Sequence, residues 1–502
     1  MHNIFNNFFN FHEKKYKSIG YYTFLVILIF LLSNLPFYFL TGNLNYLPLG
    51  NNEASHLNVA KSVYSGVPPY IEHFDARGPI FFYILSICFF FDNFLLAFHL
   101  LYFLITLTSC FVCFKICDYL YSKEAALLSF LVTGLLLTQS NHAENLIFLF
   151  LSCYLYFSIC KKHENKIKYI IFSGLCMSFA VLTRFNISVL ALFGCFYFFF
   201  QQNNKWKNTF IYIISGLIPL VALIVIFSAY EGGLETFLNA TYFYHINLTQ
   251  GRPFWVGVYQ LSENISTMPW VSLLAMSIVC PLFFKEFNKD NLFLFLFLVL
   301  SFFATLLARK FNPHYFYVSA PFIVILGSSL IHKKIIQSNN LKALIFFIVL
   351  IPLIANNLFL KAQNFYRPHN FTYFLSTILK PHVTKNDQIF SSLNGVNLYM
   401  DKKNFLRIVD HSHYNRGYNY ISLYGKNYTF IDEFENVLDN KPKFLIFDSY
   451  VKQMSIYKSI EELISANYQI YEYYDEIKIS KYRSNYKKLL RNTSVYILKD
   501  QE

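Results

Sequence analysis

Residues 51–83, NNEASHLNVAKSVYSGVPPYIEHFDARGPIFFY, form an unusually polar loop between two apolar segments. The preceding run at 20–40, GYYTFLVILIFLLSNLPFYFL, has the length and composition of a membrane-spanning helix. The loop contains acidic and basic residues, two histidines, and glycines and prolines that favour turns. A plain connection between two membrane spans needs none of these charges, so this loop is the first candidate for a functional site.

The composition is typical of an integral membrane protein. Of the 502 residues, 55% are hydrophobic and 14% are charged, whereas soluble domains have about a quarter of their residues charged. Further apolar runs follow the first, so residues 20–40 are not expected to be a cleaved signal peptide. We attribute the net charge of +13 to Lys and Arg in cytoplasmic loops, and we expect no nucleic-acid partner.

About twelve apolar stretches are present: 20–40, 79–91, 94–117, 125–138, 145–160, 168–183, 187–200, 209–229, 269–284, 291–308, 315–331 and 342–360. The segments rich in Lys and Arg are expected in the cytoplasm: 12–17, 161–168, 203–208, 285–290 and 332–334. The external side then receives 42–78, 139–144, 184–186, 230–268, 309–314 and everything after 361.

The stretch at 79–91 is too short for a complete span, because as a helix it covers only about 20 Å of a hydrocarbon core of about 30 Å. An inside N-terminus and an outside C-terminus require an odd number of crossings. We therefore expect this stretch to be re-entrant, broken or merged with its neighbour. The sequence predicts a polytopic α-helical membrane protein with about 11–13 transmembrane helices.

The C-terminal part has a different pattern. Short runs of β-forming residues alternate with amphipathic helical patterns, which predicts a small α/β domain with a mainly parallel sheet. The β-rich runs are 387–393, 404–410, 443–449, 468–474 and 493–500, and the helical patterns are 430–440 and 455–467. The predicted domains are a cytoplasmic N-terminus (1–19), a transmembrane domain (20–361) with a first external loop (42–78), and an extracytoplasmic α/β domain (362–502).

The first loop contains two candidate catalytic acids. Glu53 opens a predicted helix whose register places it near His56, and a carboxylate at the membrane surface can accept a proton from an attacking hydroxyl. Stabilisation of the helix dipole is the other interpretation of Glu53. Asp75 and Arg77 follow in HFDARGP, where the planar guanidinium suits a phosphate. A local ion pair between them that anchors the loop is the competing interpretation.

Three later segments place charges at predicted helix edges. Glu144 lies in SNHAENLIF and Arg184 in LTRFN. The third segment, RKFNPHYFYVSAP, gathers Arg309, Lys310, His314 and Tyr315. A charge within the bilayer is usually paired or functional, although at an interface a long cation also extends to the headgroups without any further role.

The first loop resembles that of the C-type glycosyltransferase superfamily, nearest to its protein O-mannosyltransferase and lipid A aminoarabinose transferase branches. That pattern is an Asp-Glu pair, a downstream alanine, Gly-x-x-Pro-Tyr and Asp-x-Lys-x-Pro. The corresponding residues here are Asn52-Glu53, Ala60, Gly66-Val-Pro-Pro-Tyr70 and Asp75-Ala-Arg77-Gly-Pro79. AEN (143–145), LTRFN and NPHYFYVSAP resemble later motifs of the family, and the resemblance covers roughly residues 20–360.

The resemblance implies inverting transfer of a sugar, by a hexosyl- or pentosyltransferase, from a polyprenyl-phosphate carrier to an acceptor hydroxyl or phosphate at the external face of the plasma (inner) membrane. Glu53 and Asp75 are the expected catalytic residues. The donor phosphate would contact Arg77, Arg184, Arg309 and Lys310. The substrate-binding candidates are His56, Glu144, His314 and Tyr315. We expect Glu53, Asp75, Arg184 and His314 to line one external cavity.

Asn52 departs from the family pattern, because an amide cannot replace the first acid of the pair as a base. Glu53 or Asp75 takes that role, the register differs by one, or the protein is catalytically altered. No cofactor is required, although Glu53, Asp75 or Glu144 could bind a divalent cation. Besides membrane lipids and the donor, the expected partner is a glycan, lipid A or protein acceptor. The competing functions are a flippase or transporter, and a polymerase or ligase, of lipid-linked saccharides.

Overall fold

A computed structural model describes the chain at residues 51–137, 143–164, 166–201, 204–243, 274, 277, 289–307, 313–331, 338, 340–342, 344–345, 348–355, 371–402, 429–453, 457–471 and 493–499. Several predicted features lie outside these residues. They are the cytoplasmic N-terminus, the apolar run at 20–40, most of the stretch at 269–284, Arg309, Lys310 and the β-rich run at 404–410.

The chain divides into two compact units. The first contains residues 1–42, 99–223 and 252–361, and the second contains residues 43–98, 224–251 and 362–502.

In chain order the helices are α1 (Asn51–Tyr64), α2 (Pro79–Ser86), α3 (Phe94–Leu120), α4 (Lys123–Leu137), α5 (Ala143–Leu155), α6 (Ile167–Thr183), α7 (Ser188–Gln201), α8 (Lys205–Ser228), α9 (Gly233–Leu238), α10 (Lys289–Leu307), α11 (Ala320–Ser328), α12 (Phe371–Leu379), α13 (Asn394–Tyr399), α14 (Phe430–Asp439), α15 (Ser449–Lys452) and α16 (Tyr457–Ser465).

Long apolar helices dominate the first unit. Among the described residues, three helices are long and apolar enough to cross a membrane: Phe94–Leu120, Ala143–Cys160 and Lys205–Ser228. Helix α8 leaves Ile218 and Val225 more than half exposed, as expected for side chains that face lipid. The prediction of a helical membrane fold is confirmed, and the number of crossings stays a prediction.

The short apolar stretch after the first loop is a broken helix. Helix α2 continues as a 3-10 helix at Ile87–Phe90. Three non-helical residues follow, and α3 begins at Phe94. Asn93 separates the two, since its side-chain oxygen accepts a hydrogen bond of 3.0 Å from the Leu96 amide and caps the new helix. The twelve helical residues from Pro79 to Phe90 span about 18 Å, too short for the bilayer core.

Two lysine-rich segments of the first unit meet at one end of its helices. Lys162 Nζ lies 2.7 and 2.5 Å from the two carboxylate oxygens of Asp290, which begins α10. The segments at 161–168 and 285–290 were both assigned to the cytoplasmic side from their charge. The contact places the described parts of these segments on one side of the membrane, as the charge pattern predicts.

The C-terminal residues form a four-stranded sheet: β1 (Ile389–Ser391), β2 (Phe444–Phe447), β3 (Tyr468–Ile470) and β4 (Ser494–Leu498). Their spatial order is β1-β2-β4-β3. The β1–β2 pair is parallel, whereas β4 is antiparallel to both β2 and β3. The prediction of a mainly parallel sheet is therefore wrong, because two of these three strand pairs are antiparallel. Strands β1, β2 and β3 do share one direction, but the last strand inserts in reverse between two of them.

Both amphipathic helices predicted in this domain are present, as α14 and α16. Helix α14 begins at a capping box, in which the Thr429 hydroxyl and the Asp432 carboxylate reciprocally satisfy the first free amides. Its buried side chains Phe430, Phe434 and Val437 recur at helical spacing. The phenyl ring of Phe434 packs against Phe390 of β1 and Phe447 of β2. The amphipathic pattern thus covers one face of the sheet.

The first loop and the C-terminal domain are in direct contact within the second unit. The side-chain amide of Asn394, at the start of α13, donates to Ser55 Oγ at 2.7 Å, and Asn58 Nδ2 donates to the Asn394 carbonyl at 3.2 Å. Lys61 also pairs with Asp401. Helix α1 and the C-terminal domain must therefore lie on the same side of the membrane.

Helices α6 and α8 approach closely at Gly174, which yields a test of the packing. A Cβ atom at Gly174 would lie 2.0 Å from Ser215 Oγ and 2.6 Å from the Tyr212 carbonyl oxygen. Since the backbone cannot rotate away, we expect Gly174→Ala to destabilise the protein by about 1–3 kcal/mol. The measurement is the thermal unfolding midpoint of the purified protein in lipid nanodiscs.

Gly216 supplies the matched control, because a Cβ there meets nothing closer than the Gly174 carbonyl oxygen at 3.5 Å. We expect Gly216→Ala to leave the midpoint unchanged or to raise it slightly, as alanine is the better helix former. An equal loss of stability in both variants would contradict the α6–α8 packing described here.

Candidate functional site

Helix α1 carries Glu53 at its first turn, where the positive end of the helix dipole favours a carboxylate. Lys61 in the last turn complements the opposite end. Glu53 is partly exposed, whereas His56, one turn further along, is buried. The predicted helical register of this segment is confirmed. It leaves Glu53 accessible at the edge of the loop and turns His56 inward.

The turn that follows α1 is fixed by Tyr70. Its φ angle is 73°, in a region that tyrosine rarely occupies. Its amide donates to the His73 carbonyl at 3.1 Å, and its hydroxyl donates to the Arg77 carbonyl. The buried ring stacks on Phe227 with centroids 6.0 Å apart. These contacts hold the backbone on both sides of Asp75 in one conformation.

Asp75 is the centre of the charged cluster of the first loop. His56 Nδ1 donates to its Oδ2 at 2.9 Å, while the Arg77 amide and Nη1 donate to Oδ1 at 3.0 and 3.1 Å. Only 3% of the residue is exposed. The structure therefore joins the three first-loop residues His56, Asp75 and Arg77 into one hydrogen-bonded group.

The environment of Asp75 keeps its carboxylate ionised. Burial alone would raise its pKa, but the charges of Arg77 and His56 and the hydrogen bonds they donate lower the pKa well below its usual range. A carboxylate with so low a proton affinity is a weak general base. This geometry favours the interpretation in which Asp75 anchors Arg77.

His56 presents one free nitrogen. Because a carboxylate can only accept, Nδ1 of His56 carries the proton that is donated to Asp75. Nε2 is buried and has no hydrogen-bond partner within the part of the chain that the structure describes. The ring packs edge-on against Phe81, with centroids 5.2 Å apart. His56 thus orients Asp75 from inside the protein.

A second charged pair lies in the first unit. Glu144, in the first turn of α5, forms a buried ion pair with Arg184, which lies between α6 and the 3-10 helix Phe185–Ile187. The Arg184 amide also caps α6 by donating to the Ala180 carbonyl at 3.0 Å. The pair joins the start of α5 to the end of α6. These two helix edges were both assigned to the external side from the charge pattern, and the contact shows that they share one side.

Neighbouring polar groups tie further segments to this region. The Asn145 side chain donates to the Leu137 carbonyl at 2.9 Å, and the Tyr317 hydroxyl donates to the Leu136 carbonyl at 3.1 Å. The Asn186 side chain approaches the Ala304 carbonyl at 3.5 Å. Several segments therefore meet beside the Glu144–Arg184 pair. They are the end of α4, the start of α5, the end of α10, and the 3-10 helices Phe185–Ile187 and Pro313–Val318.

The remaining candidates are only partly placed. His314 and Tyr315 lie in the 3-10 helix Pro313–Val318, and Arg309 and Lys310 lie outside the described residues. That Glu53, Asp75, Arg184 and His314 share one cavity stays a prediction. Within the described ranges no group of three His, Cys, Asp or Glu side chains could hold a metal ion. A divalent cation at Glu53, Asp75 or Glu144 likewise stays a prediction.

The role of Asn394 was not predicted from the sequence. Its segment, NGVNLYM (394–400), contains no charged residue. In the structure Asn394 bridges to Ser55, the residue immediately before His56, and so supports the helix that carries Glu53. The available signal was a buried polar residue at the start of a helix, which requires a partner.

The comparisons with known proteins give a family match over part of the chain and several structural matches. Residues 76–228 match a family model described as dolichyl-phosphate-mannose-protein mannosyltransferase. No curated protein sequence matches the chain. The sequence match includes Arg77, Glu144 and Arg184, although it leaves Glu53 and Asp75 outside its bounds.

Solved structures share the fold over most of the chain. The crystal structure of ArnT from Cupriavidus metallidurans bound to undecaprenyl phosphate matches with a TM-score of 0.65 and 10% identity, covering 96% of this chain and 98% of that one. The oligosaccharyltransferase of Archaeoglobus fulgidus, tethered to an acceptor peptide, matches with a TM-score of 0.55 and 13% identity, covering 87% and 70%.

A third structure is the archaeal oligosaccharyltransferase AglB from Archaeoglobus fulgidus, in complex with an inhibitory peptide and a dolichol-phosphate. It matches with a TM-score of 0.53 and 11% identity, covering 87% of this chain and 70% of that one. At such low identities these matches establish the fold. With the family match, they confirm the resemblance to the C-type membrane glycosyltransferases that the first loop indicates.

The buried Asp75 gives a pH-dependent prediction. Its folded-state pKa is lowered, so its contribution to stability is present above the unfolded pKa of about 3.9 and is lost as the pH falls. Asp75→Asn removes one partner of a buried ion pair, and we expect a loss of about 3–5 kcal/mol at pH 7. The difference from the wild type should shrink between about pH 5 and pH 3.

Thermal midpoints in nanodiscs across this pH range provide the measurement. Asp401→Asn is the control, because Asp401 forms an exposed pair with Lys61 and such pairs contribute little. A difference for Asp75→Asn that stays constant or grows toward low pH would show that the carboxylate is not ionised and paired in the folded protein.

The Glu144–Arg184 pair predicts coupled substitutions. Glu144→Gln and Arg184→Gln should each destabilise the protein, because each removes one charge of this largely buried ion pair. In the double variant the loss should be smaller than the sum of the two single losses by about 1–3 kcal/mol. A double-mutant cycle of unfolding free energies measures this coupling, and simple additivity would show that the two side chains do not interact.

Proposed function

We propose that the protein is an inverting glycosyltransferase that moves a sugar from a polyprenyl-phosphate carrier to an acceptor hydroxyl or phosphate at the external face of the membrane. The observation that carries the proposal is Arg77, held by buried Asp75 on the first loop of a chain with the fold of an enzyme crystallised with undecaprenyl phosphate. An oriented guanidinium and a partly exposed carboxylate on the same loop supply a phosphate ligand and a base.

Glu53 is the proposed base. It is partly exposed, so an acceptor hydroxyl can reach it, whereas Asp75 is buried and saturated with hydrogen-bond donors. Asn52 cannot accept a proton in this role. Asp75, the second candidate acid from the sequence, then acts by orienting Arg77, and His56 acts by orienting Asp75.

The transfer follows from these assignments. The acceptor oxygen attacks the anomeric carbon from the side opposite the phosphate, its proton passes to Glu53, and the bond between the anomeric carbon and the phosphate oxygen breaks. Arg77 stabilises the charge that develops on the departing phosphate. Arg184, Arg309 and Lys310 are further candidates for this phosphate, and Glu144, His314 and Tyr315 are candidates for substrate contacts.

Two observations support the external location: the positions of the Lys-rich segments, and the contact between helix α1 and the C-terminal domain. The Lys-rich segments at 161–168 and 285–290 favour the cytoplasm. Helix α1 of the first loop and the C-terminal domain share one side, as shown by the Asn394–Ser55 hydrogen bond. We place that side outside the plasma (inner) membrane, with the C-terminal domain extracytoplasmic.

Purified protein in nanodiscs tests the function directly. Comparing the surface glycans of a gene-deletion strain and its parent by mass spectrometry should reveal a missing single-sugar increment, which identifies donor and acceptor. The purified protein should then consume the corresponding polyprenyl-phosphate sugar and form a product of inverted anomeric configuration, measured by NMR. Movement of the donor across the bilayer without bond cleavage would favour a flippase, and transfer of a preassembled chain would favour a polymerase or ligase.

The base assignment gives a matched pair of variants. We expect Glu53→Gln to lower kcat by about 10²–10⁴-fold, because the attacking hydroxyl loses its proton acceptor. Glu235→Gln, at an exposed acid of α9 in the same unit, should leave kcat unchanged. Initial rates with the identified donor provide the measurement. Full turnover by Glu53→Gln would exclude Glu53 as the base.

A further inference from the structure

A pocket in the first unit, separate from the Asp75–Arg77 and Glu144–Arg184 pairs, is lined by lysines. It lies where the π-helical end of the α5 segment, Tyr156–Cys160, meets the starts of α6 and α8 and the end of α7. The pocket is small and partly open to solvent. Its lining residues are Phe157, Lys161, Lys162, Lys166, Tyr169, Ile170, Phe198 and Asn208.

The polar part of the pocket carries a net positive charge. Lys161 and Lys166 lie 2.5 and 3.0 Å from the two carboxylate oxygens of Glu164, and Lys162 contacts Asp290. Lys168 adds a further cation, with its amine 5.0 Å from the ring centre of Tyr169. The three lysines that line the pocket therefore exceed the two carboxylates that pair with them. The carboxylates fix the amines in place without neutralising the site.

The surroundings of the pocket indicate contact with lipid. Trp206, two residues before the pocket residue Asn208, is 78% exposed, and Phe200 and Phe210 are 67% and 65% exposed. Exposed tryptophan and phenylalanine beside lysines are typical of the boundary between headgroups and hydrocarbon. The apolar lining consists of Phe157, Ile170 and Phe198, and Phe199, the residue after Phe198, packs edge-on against Trp206 with ring centroids 4.9 Å apart.

We propose that this pocket binds the phosphate headgroup of an anionic phospholipid from the adjoining leaflet. The lysine amines can donate hydrogen bonds to the phosphate, and the exposed aromatic side chains suit the start of the acyl chains. The Tyr169 hydroxyl donates to Glu164 at 2.9 Å and so helps to hold the carboxylate that positions two of these amines. Basic pockets between membrane helices recognise headgroups in this way. The site is independent of the proposed sugar transfer, and no residue assigned to that reaction lines it.

Fluorescence quenching by brominated lipids tests the site. The chain has three tryptophans, so Trp255→Phe and Trp270→Phe leave Trp206 as the reporter. In vesicles of phosphatidylcholine, brominated phosphatidylglycerol should quench Trp206 more strongly than brominated phosphatidylcholine. Lys161→Gln with Lys166→Gln should lower this preference by at least about fivefold, the effect expected for losing one lysine near anionic lipid. Lys380→Gln with Lys458→Gln removes the same charge from exposed positions of the C-terminal domain and should keep it.

Two outcomes overturn the proposal. The first is an equal preference for phosphatidylglycerol in the Lys161/Lys166 variant and in the control variant, or no preference in either. The second is loss of the preference on adding millimolar inorganic phosphate, which would show that the pocket takes soluble phosphate instead of lipid. Monodisperse elution of each variant verifies folding. Because the readout is lipid binding, neither result affects the proposed transferase activity.

Discussion

The first loop depends on one buried carboxylate. Asp75 accepts hydrogen bonds from His56, from the Arg77 amide and from the Arg77 guanidinium, and so joins helix α1 to the segment that enters α2. A buried charge is costly unless it is paired and fully hydrogen-bonded, and here both conditions are met. Because the Tyr70 turn fixes the intervening backbone, the guanidinium of Arg77 is held in place before any ligand arrives.

The same physical rule governs the first unit. Burying either Glu144 or Arg184 alone would cost free energy, and the ion pair that they form between two helix ends offsets this cost. In both units an acid therefore holds an arginine that the sequence marks as a phosphate candidate. An arginine oriented in this way loses less freedom when it binds an oxyanion than one on a mobile chain. Each ion pair thus stabilises the fold and also holds its arginine side chain in a fixed orientation.

The C-terminal domain has a structural role in the first loop. Its short helix α13 places Asn394 against Ser55 and Asn58 of α1, while α14 covers the sheet behind it. The helix that presents Glu53 is thereby supported from the domain and from the loop. A domain that looks accessory in sequence is joined through polar contacts to the segment on which the proposed chemistry depends.

The sequence by itself determined the membrane class, the α1 register, the amphipathic α14 and α16, and the identity of the charged residues, because apolar run length and helical periodicity are local properties. Only the tertiary structure decided the partners. His56 meets Asp75 across 19 residues, Arg184 meets Glu144 across 40, and Asn394 meets Ser55 across 339. The antiparallel position of β4 between β2 and β3 could not be predicted from the local sequence pattern, since strand propensity does not indicate strand direction. Such pairings are selected by packing and by the cost of leaving a buried polar group alone, and both arise only when distant segments meet.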